Sequence, residues 1–140
     1  MRSDCPLNFG LEVFGDKWTL LIIRDMMFFN KRFFGEFLGS AEGISTNILA
    51  NRLDLLEDWG MITKNEVKEH KQKIRYSLTK KAIDLLPIIL EIGLWSEKYA
   101  GHLTPHREMI LGGIRKQKTR GIQQMKQKLY KEHLGRSLRG

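Results

Sequence analysis

Hydrophobic and polar positions alternate with a helical period through the first sixty residues, change to a period of two, and return to helical spacing. Leu7, Leu11 and Phe14 fall at helical spacing after Pro6, and Gly15 ends that short helix. Asp16 is placed to cap a second helix, Lys17 to about Phe29, which is apolar over most of its circumference apart from Arg24 and Asp25 and therefore belongs in the middle of a domain. After a turn at Asn30 and Lys31, the spacing predicts a short third helix over Arg32 to Leu38, then a GSAEG connection.

The next stretch, GISTNILANRLDLLEDWGMI (43–62), predicts a helix capped by Ser45 and stopped at Gly60. At 100° per residue, Ile48, Leu49, Leu53, Leu55, Leu56 and Trp59 share one arc, and Thr46, Asn47, Ala50, Asn51, Asp54, Glu57 and Asp58 share the other. The polar arc is graded, with amides, a hydroxyl and a methyl in its first two turns and carboxylates in its last two. Only its N-terminal half suits a polyanion, which is the layout of a helix entering a DNA groove tip first. The same segment also suits an ordinary amphipathic core helix.

Residues 61–67 then alternate, KEHKQ follows, and 73–78 alternate again, which predicts a β-hairpin with a charged tip. Placed after such a helix it is the wing of a winged helix, with Lys68, His70, Lys71 and Lys73 beside the phosphates; a solvated hairpin tip carries the same residues. Thr79 caps a long helix to about Tyr99, interrupted by Pro87. It has two apolar stripes, Ile88, Ile89, Ile92, Trp95 and Tyr99 on one side and Leu86, Leu90 and Leu94 on the other. One small domain covers one face, so the surplus predicts a dimer interface shared with the N-terminal helix. Thr104-Pro105 can start another helix, weakened by Gly112-Gly113 and Gly121, for which partial helicity and mobility are expected.

Charge refines this division. Residues 1–104 hold 14 basic and 14 acidic side chains, whereas residues 105–140 hold 10 and 2 and supply the whole net charge of +8. Two parts are therefore expected, a mainly α winged helix-turn-helix domain with a small β-hairpin over 1–104 and a basic, partly helical tail over 105–140. Residues 61–81 carry a second basic focus. Charge alone does not choose among nucleic acid, anionic membranes and acidic proteins. No apolar run approaches the roughly 18 residues that span a bilayer, and MRSDCPLNFG lacks a signal-peptide core, so a cytoplasmic protein without membrane association is expected.

The single Cys excludes an intrachain disulfide and a multi-thiolate zinc site. His102 and His106 are separated by Thr104-Pro105 and should not share a helix face. No phosphate loop or nucleophile motif is present, so no enzyme activity, metal or cofactor is expected.

Four segments in order, CPLNFGLEVFGDKWTLLIIRDM, KRFFGEFL, GISTNILANRLDLLEDWGMI and RYSLTKKAIDLLPIILEIGLW, resemble the HxlR-type winged helix-turn-helix transcriptional regulators, relatives of the MarR group. The resemblance covers roughly residues 5–100, and the third-helix region is one residue longer than the commoner pattern. It implies a bacterial or archaeal homodimer that binds double-stranded operator DNA through the helix at about 45–59 and the wing at about 67–73. By position, Arg32, with Lys31 beside it, resembles the family's phosphate-contacting basic residue. Cys5 stands where some members carry a sensor thiol, which implies a small-molecule or electrophile effector; an inert thiol is the alternative. The tail lies outside the family outline.

Ser45, Thr46, Asn47 and Asn51 are the candidates at the groove, because Asn can bond adenine N6 and N7 together and Thr can meet a thymine methyl. Ser45 suits a helix cap better than a base contact. Arg52 falls inside the apolar arc, which leaves two alternatives, a guanidinium snorkelling out to a phosphate or an internal pair with an acid. The rival to a sequence-specific DNA-binding regulator is a winged-helix protein-interaction module whose tail binds nucleic acid nonspecifically.

Overall fold

The computed structural model describes residues 2–67, 70–100 and 106–135, with the backbone alone for 70–72. Eight α-helices, one 3-10 turn and one two-stranded hairpin follow in order among these residues. They gather into two compact units, 1–77 and 78–140.

In the first unit, α1 (Pro6–Phe14) starts on a proline, whose missing N–H costs nothing in a first turn, and ends at Gly15, where a Cβ would stand 2.3 Å from the Leu11 carbonyl oxygen. Helix α2 (Thr19–Phe28) buries Ile22, Ile23 and Met26, as its nearly all-round apolar sequence requires. The Asp16 carboxylate caps it, accepting the N–H groups of Trp18 at 2.9 Å and Thr19 at 3.0 Å.

Helix α3 is shorter than its apolar spacing suggests, Phe34–Leu38. Arg32 and Phe33 are extended instead, because the backbone finds a better partner: the Tyr76 N–H donates to the Arg32 carbonyl at 2.8 Å, and Phe33 pairs antiparallel with Arg75. The Glu36 carboxylate reaches back to the N–H groups of Arg32 and Phe33 at 3.0 and 3.1 Å and satisfies the start of the helix.

Helix α4 (Thr46–Asp58) runs between the two signals its sequence carries. The Ser45 hydroxyl accepts the Ile48 N–H at 3.2 Å. At the other end Gly60 is left-handed at φ +73°, and the N–H groups of Met61 and Gly60 close onto the carbonyls of Leu56 and Glu57, a Schellman ending. Leu49, Leu53 and Leu56 are buried, as are Ile22, Ile23, Met26, Phe37 and Ile44, so the helix turns one face to the core, with α3 and β1 beside it.

Strands β1 (Ile62–Val67) and β2 (His70–Leu78) form the hairpin. Ile62 is buried, but Thr63 to Glu66 are exposed on both faces, so the hairpin stands away from the core. Its tip, Lys68 and Glu69, lies outside the described residues.

The second unit is mainly helical among the described residues. The long helix is divided into α5 (Lys80–Ile83) and α6 (Leu86–Tyr99), because Pro87 falls in a first turn and starts a new helix rather than kinking an old one. Residues 106–135 are folded: α7 (Arg107–Leu111), a 3-10 turn (Gly112–Ile114) and α8 (Lys118–Leu134) bury Leu111, Ile114, Leu129 and Tyr130. The compact units divide near residue 78. Among the described residues no helix is long and apolar enough to cross a membrane.

Gly121 does not weaken α8 so much as permit it. A Cβ there would stand 2.1 Å from the Gly113 carbonyl oxygen, so only glycine lets the helix meet the 3-10 turn. Gly121→Ala should lower stability by about 1–3 kcal/mol through overpacking, although helix propensity alone would raise it by up to about 1 kcal/mol. The sign of the change in a urea midpoint decides between them.

Candidate nucleic-acid interface

The outward face of α4 is made by the residues left over once Leu49, Leu53 and Leu56 are buried. Ser45, Thr46, Asn47, Ala50 and Asn51 are exposed over the first two turns, and Asp54 and Asp58 over the last two. This separation puts hydroxyl, amide and methyl groups at the positive end of the helix and its carboxylates at the negative end. Leu55, on the apolar arc by angle, is 43% exposed beside the end of α1, and Phe9 of α1 meets Trp59 edge to face at 5.9 Å.

Two acid–base clusters hold this helix from behind. Arg52 takes the inward of its two alternatives: Nε donates to Asp16 Oδ2 at 2.8 Å, and Nη1 donates to Asn51 Oδ1. The residue that caps α2 thus also anchors the middle of α4. Asp16 is partly buried, which raises its pKa, but the Thr19 hydroxyl, the Trp18 N–H and Arg52 outweigh burial and hold it below the ordinary carboxylate range. Through the same bond, Asn51 meets the exterior with its carbonyl oxygen occupied.

The second cluster closes the turn before α4. Asp25, only 2% exposed, accepts Arg24 at 2.7 Å and the Ser40 hydroxyl, with Lys31 Nζ at 3.6 Å. Arg24 also holds Glu42 through two bonds of 2.7 and 2.8 Å, which keep the Glu42 carboxyl below its usual range. Lys31 in addition donates to Ser40 Oγ at 3.0 Å. The sequence signal for this cluster was the charged pair Arg24-Asp25 within an apolar helix, since a buried carboxylate needs a cation.

Arg32 is likewise turned inward. Its Nε and Nη2 donate to the Tyr76 carbonyl at 2.5 Å and the Ser77 hydroxyl at 2.6 Å, so it ties the start of α3 to the hairpin. The structure therefore brings Ser45, Thr46, Asn47 and Asn51 together on one face, while Lys31, Arg32 and Arg52 are engaged within the unit. On the hairpin, Lys73 is exposed, with Nζ 4.3 Å above the Phe33 ring. Lys64 lies 3.6 Å from Glu57 at the end of α4. Lys68 lies outside the described residues, as do the side chains of His70 and Lys71.

Cys5 is exposed at the start of α1, where the N–H groups of Asn8 and Leu7 lower the thiol pKa. Among the described residues no group of three or more metal-ligating side chains comes together. His102 lies outside them.

The lowered Asp16 and Glu42 carboxyls have a consequence for acid stability. A group with a folded pKa below its unfolded value, about 3.9 for Asp and 4.3 for Glu, stabilises fully above that value. The contribution is lost as the pH falls through the lower folded value. The urea midpoint should accordingly be flat from neutral to about pH 5 and fall below about pH 4. Arg52→Gln should lower the neutral midpoint and flatten the acid fall, and an unchanged pH profile in this variant would contradict the pairing.

This geometry has close counterparts. A family model described as "HxlR-like helix-turn-helix" matches residues 13–104. The chain is 31% identical over 106 residues to YybR, an uncharacterised HTH-type transcriptional regulator of Bacillus subtilis strain 168, covering 76% of this chain and 84% of YybR. The crystal structure of PA1607, a transcription-factor candidate, shares 36% identity at a TM-score of 0.64, covering 71% of this chain and 68% of that one. The redox regulator HypR in its reduced form shares 28% identity at a TM-score of 0.60, covering 71% and 97%. The share of a curated relative's length that the chain spans is 56% for one mycobacterial regulator and 88% for YvaP of Bacillus subtilis. The mainly helical fold, the two-stranded wing and the family match agree: the chain belongs to the HxlR-like helix-turn-helix family, whose relatives are transcriptional regulators.

Proposed function

We propose that the protein is a sequence-specific, homodimeric DNA-binding regulator that reads its operator with the first two turns of α4. The observation that carries this is the acid-free, exposed face formed by Ser45, Thr46, Asn47, Ala50 and Asn51. Ser45 is spent as the cap, so Thr46, Asn47 and Asn51 carry the base contacts, with Asn51 offering its NH2 group because Arg52 holds its oxygen. Lys73 and the basic residues around it on the wing, Lys68, His70 and Lys71, lie along the flanking phosphates. Lys31, Arg32 and Arg52 serve the site as positioning residues.

Homodimerisation is supported by apolar surface that one chain leaves exposed. On α6, Ile88, Ile92, Trp95 and Tyr99 recur at i, i+4, i+7 and i+11, with Trp95 and Tyr99 each 66% exposed, while Leu86, Ile89 and Leu90 are buried. On α1, Leu7 and Leu11 are exposed as well.

Selection from a random duplex pool should enrich an inverted repeat with half-sites one helical turn, or a multiple of it, apart. Enrichment of a single unrepeated half-site would argue against the dimer. Asn47→Ala with Asn51→Ala should erase the preference for the selected site over a scrambled one, at about 1–3 kcal/mol for a bidentate contact by Asn47 and less for the single NH2 contact of Asn51, and leave nonspecific affinity in place. A double variant that keeps the preference would remove α4 as the reader.

The effector reading rests on Cys5. Its exposure, its lowered thiol pKa and the likeness to the redox regulator HypR support a sensor role. A thiol-reactive electrophile should change operator affinity in the native chain and leave Cys5→Ser unaffected in the same gel-shift titration; an equal response from both chains rules the sensor out.

A further inference from the structure

The second unit sorts its basic side chains into two groups. Those that face the helices it packs on are matched to acids. Arg115 holds Glu97 at 2.7 Å and Glu108 at 2.8 Å, Arg107 lies 3.2 Å from Glu97, Lys118 pairs with Glu91, and Lys126 reaches Asp84 at 3.4 Å. Three on or just before the outward side of α8 are not so matched. Lys116, Arg120 and Lys131 are exposed, and among the described residues none has an acid within ion-pair distance.

Helical spacing places these charges together. Arg120, Gln124 and Lys131 stand at i, i+4 and i+11 on one line, flanked by Gln123 and Lys128, all exposed. Glu132 is the only acid of α8 and lies to one side of the line, 3.7 Å from Lys128. At the N-terminal end of the line, Lys116, Arg120 and Gln124 border an open groove beside Gly112 and Gly113. From Arg120 to Lys131 the helix rises about 16 Å, more than the roughly 12 Å width of a B-DNA major groove.

We propose that this outward face of α8 is a second, sequence-independent contact for the phosphate backbone of duplex DNA, separate from the α4 face and the wing. Cations alternate with glutamines, and both are phosphate donors. Neither glutamine nor a flexible lysine distinguishes one base sequence from another at the backbone, so this face adds affinity and salt dependence without adding specificity. A lipid surface fits it poorly, because no large apolar side chain on α8 is exposed among the described residues, and an interfacial helix needs an apolar face to insert. The proposal rests on the DNA-binding reading given above.

The experiment compares the full chain with a triple variant, Lys116→Gln, Arg120→Gln and Lys131→Gln, on two duplexes, the selected operator and a scrambled one of equal length, across a salt series. The variant should weaken binding to both duplexes by a common factor. Its slope of log K against log salt should be shallower by about two to three for each protomer, at roughly 0.9 per lost phosphate contact, with the operator preference unchanged. Substitutions that keep the charge, Arg120→Lys with Lys131→Arg, should retain the native slope, and circular dichroism should show native helicity in all three chains.

If the native chain binds duplex and the triple variant matches it in slope and affinity, this proposal is overturned and the α4 reading stands. Loss of binding to polyglutamate with duplex binding unchanged would also overturn it, assigning the face to an acidic protein. If the native chain binds neither duplex at low salt, both readings fall together.

Discussion

A carboxylate that is almost fully buried has to be answered by cations and hydrogen bonds, and Asp25 sets that requirement at the centre of the helix-turn-helix unit. Its answer comes from three places in the chain: Arg24 beside it, Ser40 from the turn after α3, and Lys31 from the turn after α2. Its backbone carbonyl also takes the N–H groups of Phe29 and Lys31. The turns on either side of α3 are thereby tied to one residue of α2, and Glu42 extends the tie toward the start of α4 through Arg24. Arg52 and Asp16 make the matching tie at the middle of α4. The apolar core decides that α4 packs here; these polar contacts decide which way its first two turns point.

A count of basic residues is therefore a poor map of the interface. Lys31, Arg32 and Arg52 all lie close to the helix or its turn, and each is engaged inside the unit by a carboxylate, a hydroxyl or a backbone carbonyl. What remains outward on the first two turns of α4 is small and neutral. Base reading with short polar groups needs a close and fixed approach, because a hydroxyl or amide has little reach of its own. The inward cations supply that rigidity, whereas long-range attraction falls, as proposed, to the wing and to the outward face of α8.

The second unit uses the same division of labour. Asp84, Glu91 and Glu97 on α5–α6 and its flank meet Lys126, Lys118 and Arg115 from the segment beyond residue 105. His133 Nδ1 accepts the buried Leu78 N–H at 3.0 Å, and Gly121 allows α8 to reach the 3-10 turn. Residues 105–140, with 10 basic and 2 acidic side chains, have the composition of a solvated tail, yet 106–135 fold, because their cations meet acids from far back in the chain.

The sequence by itself determined whatever depends on neighbours within a few residues. The amphipathic arc of α4, its Ser45 cap, its Gly60 ending, the change to the hairpin period and the two stripes of α6 are all local, since backbone geometry repeats every few residues and caps act within one turn. The four segments that resemble the HxlR family are legible for the same reason. Tertiary structure decided the rest. Whether Arg52 faced a phosphate or an acid depended on Asp16, 36 positions away; whether Arg32 began a helix or an extended pair depended on Tyr76, 44 positions away. The fate of the basic segment depended on acids 18 to 42 positions before it. Long flexible cations take whichever partner the fold brings within reach, and helical or strand periodicity carries no record of that partner.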